Sequence, residues 1–253
     1  MFKLSVSGQV ATLTMSAPPV NALSEGWLAG FQRELDGLAG RHDWKVLHLR
    51  SDQKAFCAGA DLKEMQTRFE AVDGPDRTYA YVASIQRLYE SIETLPQVTL
   101  AEIEGPALGG GFELGLACDL RIAAFEAKLG LPEVRLGLIP GAGGTQRLTR
   151  LVGRGVANRL ILGAEVVDGT MAERLGLVQW AVPRADIAAR AAEIARHVAA
   201  LPCAALAAAK HCMTTAAMPG RGGFGDELEA TRRLQTDAET RERIGAFLAG
   251  VRS

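Results

Sequence analysis

The chain has 253 residues, 23% of them charged, and its 28 basic and 29 acidic side chains nearly cancel. That length suits one large domain, or a core with a short helical appendage, and can bury a full hydrophobic core without staples. The even balance excludes a strong field for nucleic acid or an anionic membrane surface and leaves a small molecule as the expected partner.

Cys57, Cys118, Cys203 and Cys212 form no CxxC pair and have no histidine at metal-ligand spacing, a pattern against zinc and against a secreted disulfide framework. The N-terminal MFKLSVSGQVATLTM alternates polar and apolar residues, where a targeting signal would have a basic start and an apolar run. No apolar run reaches the ~18 residues of a membrane span. A soluble, cytoplasmic protein without a metal is expected.

In chain order, residues 2–6 and 10–15 read as two strands around Ser7 and Gly8. Ser24 caps a helix whose apolar face is Trp27, Leu28, Phe31, Leu35 and Leu38, at helical spacing. A strand follows at Val46–Leu49, a helix from about Arg77 to Leu95, and a strand at Val98–Ile103 closed by Glu104, Gly105 and Pro106. A short helix is predicted from about Phe112, then a strand in LRIAA. Beyond the second glycine cluster the composition turns to alanine-rich helix, at 184–200 and 202–217. Gly220, Gly222 and Gly223 form a linker, and about 225–250 reads as one final helix with a sparse apolar face of Leu228, Leu234, Ile244, Phe247 and Leu248, suited to docking on another subunit.

Three segments carry chemistry. In AFCAGADLKEM, Gly59 precedes a helix predicted from near Leu62, so the backbone can approach a ligand and Ala60 can offer its amide to a carbonyl oxygen. In GPALGGGFELGLACD, Gly109, Gly110 and Gly111 precede a helix, and an amide near Gly110 can reach the same oxygen, helped by the helix dipole. Two converging amides make an oxyanion hole, which for a thioester stabilises an enolate. Glu113 lies in the first turn of that helix, where the dipole favours its carboxylate. Glu133 in LGLPEVRLGLIPGAGGTQRL is surrounded by Leu129, Leu131, Val134 and Leu136, so burial should raise its pKa and let the pair divide base and acid roles.

Taken singly, a triglycine before a helix is often only a tight turn, and a first-turn glutamate only a dipole partner. GAGGT lacks the glycine spacing of a dinucleotide fingerprint and the lysine of a phosphate loop. Asp61 and Asp119 read as backbone-pinning residues ahead of catalytic acids. His42, His48, His197 and His211 stand apart from any Ser or Asp constellation and read as surface or helix-packing residues.

These three segments, with NALS at 21–24 and DAETRERIGAFL near the C-terminus, resemble the successive signatures of the enoyl-CoA hydratase/isomerase (crotonase) superfamily across essentially the whole chain. The resemblance implies an α/β spiral of repeated ββα units over residues 1–198 and a C-terminal helical region, 199–253, used for trimer formation, commonly with two trimers in a hexamer. It implies an acyl-CoA substrate with no cofactor beyond the coenzyme A of that substrate, and a thioester oxygen held by the amides of Ala60 and Gly110. Glu113 and Glu133 match the two carboxylates that add water across a 2,3-trans double bond, and Gly141 matches a position that helps hold the water. Ala22, Leu23, Ala58, Asp61, Leu62 and Lys63 match the crevice for the CoA moiety. The chain departs from the family pattern at Glu104, where asparagine is usual, and has only Arg252 as a basic residue after AFLAGV.

Relatives with other reactions generally keep the oxyanion hole and alter one or both carboxylates. This chain alters neither, so the expected activity is that of a hydro-lyase, an enoyl-CoA hydratase. The alternatives are an enoyl-CoA isomerase, a pathway-specific hydratase of a cyclic or branched acyl-CoA, and an RNA-binding relative. The last would need a basic patch, and Arg147, Arg150, Arg154 and Arg159 read better as a solvated helical face.

Overall fold

The computed structural model describes residues 1–216 and 223–249. Gly220, Gly222 and Arg252 lie outside the described residues. The chain opens with the hairpin β1 (Phe2–Ser7) and β2 (Val10–Met15), turned through left-handed Gly8 and Gln9. Helix α1 (Glu25–Leu38) starts where Ser24 Oγ accepts the Trp27 amide, and it buries the face read from the sequence. Phe2, Trp27 and Phe31 meet with ring centroids 5.2–5.5 Å apart, each pair adding about 0.5–1.5 kcal/mol beyond its buried area. These contacts pin α1 to β1.

A three-turn spiral follows, each turn made of a strand in a large sheet, a short strand or bridge in a small sheet, and a helix. The first turn is β3 (Val46–Ser51), the bridge at Cys57, and the helices α2 (Leu62–Glu70) and α3 (Gly74–Glu93). The second is β4 (Val98–Ile103), β5 (Ala107–Leu108) and α4 (Gly110–Ala117). The third is β6 (Leu120–Ala124), β7 (Lys128–Gly130), a one-turn 3-10 helix at Glu133–Leu136, and α5 (Gly144–Ile161). Then come β8 (Val166–Asp168), α6 (Gly169–Arg174) and β9 (Trp180–Val182). The large sheet has the order β1-β2-β3-β4-β6-β9, parallel except for the first hairpin; the small one has the order β5-β7-β8, and Cys57 bridges in parallel to Ala107 of β5. This is the ββα repeat that the resemblance implied.

Helix α7 (Ile187–Ala199) lies against β2, β3, β4 and β6, so it covers the outer face of the sheet. Helix α8 (Cys203–Ala216) is tied to the core through Lys210, whose ammonium donates to Asp119 at 2.7 Å and to the Gln97 carbonyl. Asp119 also accepts the Thr99 amide at 2.8 Å, the pinning role expected of it.

Several boundaries differ from the sequence reading. The single helix expected over 225–250 is two, α9 (Phe224–Leu234) and α10 (Ala238–Leu248). Asp237 ends the continuity by accepting the Thr240 amide at 2.9 Å, an N-cap that the apolar spacing concealed. Helix α3 starts at Gly74, with Pro75 in its first turn, and α4 starts at Gly110 instead of Phe112. His48 is neither on the surface nor on a helix. It is a buried residue of β3, 2.8 Å from the Glu102 carboxylate on β4, with Arg50 completing the cluster at 3.6 Å. A buried charge needs such a partner.

Candidate active site

The three turns of the spiral deliver their glycines to one place. After the Cys57 bridge the chain passes Gly59 at φ 89° and reaches Ala60, which bridges in parallel to Leu23. Asp61 then caps α2 by accepting the Lys63 and Glu64 amides at 2.9 and 3.2 Å. After β5 the chain passes Gly109 at φ 53° and enters α4 at Gly110. A Cβ at Gly59 would stand 2.8 Å from the Leu108 carbonyl and 3.3 Å from the Gly110 nitrogen. The two loops touch backbone to backbone, and only glycine permits it. Among the described residues neither the Ala60 nor the Gly110 amide donates to a protein acceptor, so both can serve an incoming oxygen.

Both glutamates border this backbone. Glu113 Oε2 lies 3.8 Å from where a Gly110 Cβ would be, and Glu133 Oε1 lies 2.9 Å from where a Gly109 Cβ would be. Glu113 is 2% exposed, and its Oε1 accepts the Gly144 amide at 2.6 Å. A side chain at 144 would crowd Glu113 and Leu131, so the bond depends on glycine there. Glu133 is half-buried, and its Oε2 is buried with no hydrogen-bond partner among the described residues.

Glu133 follows the sequence expectation and Glu113 departs from it. Burial pushes the Glu113 carboxyl up to about 7, opposed by the Gly144 amide and reinforced by the charge of Glu133. Burial also raises Glu133, opposed by its own backbone amide. The helix dipole was expected to favour the Glu113 carboxylate, but at this depth desolvation outweighs it. The apolar surround read for Glu133 is looser than expected, because Leu136 is 66% exposed.

Of the other sequence candidates, Leu23 is fully buried with its side chain against Gly110. Ala22 and Asp61 are half-buried beside it, while Ala58, Leu62 and Lys63 are exposed along the rim. Gly141 lies in the loop before α5, its carbonyl held by Gln86 at 2.6 Å. On α5, Arg147 and Arg159 are engaged by Glu93 and Glu165, while Arg150 and Arg154 are exposed.

The sequence reading missed the residues that hold these loops. Asn21, fully buried at φ 51°, donates to Ser51 Oγ at 2.8 Å and to the Phe56 carbonyl at 3.1 Å, and accepts the Ala17 amide at 2.8 Å. Asparagine's tolerance of the left-handed region was the available signal. Arg147 donates to the Ala142 carbonyl at 2.8 Å while paired with Glu93. Tyr81 and Tyr89 of α3 donate to the Leu23 and Gly110 carbonyls. They lie far in sequence from their partners, and no local pattern marks them. An open groove of about 580 Å³ between α1 and α3, lined by Glu25, Gln32, Tyr81 and Arg87 among others, contains none of the glycines or glutamates of the site.

The family model for enoyl-CoA hydratase/isomerase matches residues 5–249. A short-chain-enoyl-CoA hydratase of Clostridium acetobutylicum is 37% identical over 201 residues, 77% of this chain and 74% of that protein. The mitochondrial methylglutaconyl-CoA hydratase of Mus musculus is 44% identical over 159 residues, 62% of this chain; the aligned stretch spans about half, 49%, of that relative's length. The crystal structure of an enoyl-CoA hydratase from Bacillus anthracis superposes with a TM-score of 0.91 at 34% identity, covering 98% of this chain and 96% of that one. One from Geobacillus kaustophilus gives a TM-score of 0.93 at 31% identity, covering 99% and 94%. With the glycine-built site on the same scaffold, the chain belongs to the enoyl-CoA hydratase/isomerase family and has the crotonase fold.

Proposed function

We propose that the protein is an enoyl-CoA hydratase, adding water reversibly across the 2,3-trans double bond of an enoyl-CoA to give a 3-hydroxyacyl-CoA. The observation that carries this reading is the pair of carboxylates, Glu113 and Glu133, on the Gly109–Gly110 backbone beside two unclaimed amides. In the reactive form Glu113 is ionised and Glu133 protonated. Glu113 takes a proton from water as its oxygen bonds to C3, and the π electrons move onto the thioester oxygen, held by the amides of Ala60 and Gly110. The enolate then collapses and C2 takes the proton of Glu133. One proton has moved from Glu133 to Glu113 through substrate and water, and exchange returns it.

The hydrogen bonds support this division. Glu113 accepts an amide that favours its charge, whereas the buried Glu133 Oε2 has no hydrogen-bond donor among the described residues. A group near 7 is also suited to exchange protons at neutral pH. Gly141, in the loop that leads to the Gly144 amide, is the proposed water-holding position. The rim residues Ala22, Leu23, Ala58, Asp61, Leu62 and Lys63 are proposed to meet the CoA moiety, and no further cofactor is required.

Residues 199–253 are proposed as the oligomerisation region of a trimer or a pair of trimers. Phe224, Leu228, Phe247 and Leu248 are each more than 70% exposed there, and large apolar side chains left open to water suit an interface with another subunit. A cytoplasmic location goes with this reading. Loss of the conjugated enoyl-thioester absorbance of crotonyl-CoA tests the activity. Formation of a 3-enoyl product with no hydroxyacyl-CoA would favour an isomerase instead.

A further inference from the structure

Helix α3 stands behind the site and reaches three of its loops with side chains. Tyr81 Oη donates to the Leu23 carbonyl at 2.5 Å, Gln86 Nε2 to the Gly141 carbonyl at 2.6 Å, and Tyr89 Oη to the Gly110 carbonyl at 2.7 Å. Leu23 is bridged to Ala60, Gly110 carries the second amide of the proposed oxyanion hole, and Gly141 lies three residues before the amide that binds Glu113.

Tyr89 has the most direct line to the chemistry. Residues 109–111 have no side chains to lock them, and glycine backbone turns more freely than any other. Gly109 sits at φ 53° and ψ −129°, a region that other residues rarely occupy. Its own amide is tied to the Gly130 carbonyl at 3.0 Å, and the next peptide, which presents the Gly110 amide to the substrate, is held through the Gly109 carbonyl by the Phe112 and Glu113 amides at 2.8 and 3.0 Å, so it moves as one with the first turn of α4. Among the described residues, the Tyr89 hydroxyl makes the one side-chain hydrogen bond to this triglycine. Its ring is fully buried, and burial pushes the phenol well above its ordinary pKa, so the hydroxyl stays a donor across the working range.

We infer that Tyr89 is a positioning residue for the oxyanion hole: by holding the Gly110 carbonyl it anchors the first turn of α4 against α3, and with that turn the Gly109–Gly110 peptide whose amide faces the substrate. The inference rests on the proposed oxyanion hole and not on the addition of water. An oxyanion donor works because it is oriented before charge develops. A donor on a turn free to shift loses more toward the enolate than toward the neutral thioester, so kcat falls while KM stays.

Tyr89→Phe keeps the ring and removes the bond. The expected result with crotonyl-CoA is kcat lower by about tenfold and KM within about twofold. Acetoacetyl-CoA provides a readout that needs no turnover, because an oxyanion hole binds it as its enolate, which has its own ultraviolet band. At saturation the parent should show that band and Tyr89→Phe a much weaker one, with affinity for saturated butyryl-CoA unchanged. Trp44→Phe removes another buried donor, to the Leu38 carbonyl outside the site, and should keep the parental band and kcat. A parental band and parental kcat in Tyr89→Phe would overturn the inference, as would an equal loss in Trp44→Phe. A parent that shows the enolate band but leaves crotonyl-CoA unhydrated would refute the hydratase reading alone. A parent that binds acetoacetyl-CoA without the band would contradict the oxyanion hole and Tyr89's role with it.

Discussion

In the second turn of the spiral the chain leaves β5, passes Gly109 and enters an eight-residue helix; in the third it leaves β7, passes Pro132 and enters a single 3-10 turn. Both routes bring a glutamate to the same glycine backbone, but the helix drives Glu113 into the core while the 3-10 turn leaves Glu133 half-buried at the edge. The Gly144 amide therefore favours the charged form of Glu113 against its burial, and Glu133 keeps an oxygen that nothing in the described protein satisfies. One repeat, with different helix lengths, makes two unlike carboxylates from identical side chains. That difference is what acid–base chemistry on one substrate requires.

Erasing either carboxylate should have the largest effect. Glu113→Gln and Glu133→Gln keep shape and packing, and each should lower kcat for hydration by about 10²–10⁴-fold with the fold intact, read by crotonyl-CoA turnover alongside thermal melting. Gly111→Ala attacks the support the second turn needs, since its new methyl would overlap the backbone carbonyl of Cys57. A loss of about 1–3 kcal/mol or more in denaturant unfolding is expected, because backbone has no way to yield as a flexible side chain would. If Gly111→Ala melted like the parent, the tight seam between the first and second turns would be wrong.

The pH dependence separates the two carboxylates further. With Glu113 near 7, kcat/KM should rise with pH through about 7 as its base form appears, and Glu113→Gln should lose that limb. Stability must run the other way. A carboxyl raised above its unfolded value stabilises the fold fully below about pH 4, and that contribution is lost as pH rises through about 7. Glu113→Gln should therefore be more stable than the parent at pH 8, by at most on the order of 3 kcal/mol, with the gap closing toward pH 4. A constant gap would place the titration elsewhere. The smallest effect is expected at the rim: Asp61→Ala removes the cap of α2 and should cost about 1 kcal/mol in unfolding free energy.

The sequence made the strands legible because alternation and buried runs mark them locally; Val98–Ile103 and Leu120–Ala124 stand where the pattern put them. Glycines at 59 and 109–111 were legible too, since close backbone approach leaves few alternatives to glycine. The pairing of Glu113 with Gly144 and of Tyr89 with Gly110 was not, because such contacts join residues from different turns of the spiral. His48 and Glu102 escaped for the same reason: each looks ordinary in its own strand, and only the register of β3 beside β4 makes them a pair. The relative burial of the two glutamates, which reversed the expected order of their environments, belongs to packing and not to either local sequence.

The most direct measurement follows crotonyl-CoA at its conjugated enoyl-thioester band with the parent, Glu113→Gln and Glu133→Gln side by side. The expected result is rapid loss of absorbance with the parent and near-abolition in both variants. Parental rates in both folded variants would contradict the two-carboxylate mechanism, and a folded parent that leaves the band unchanged would contradict hydration of this substrate.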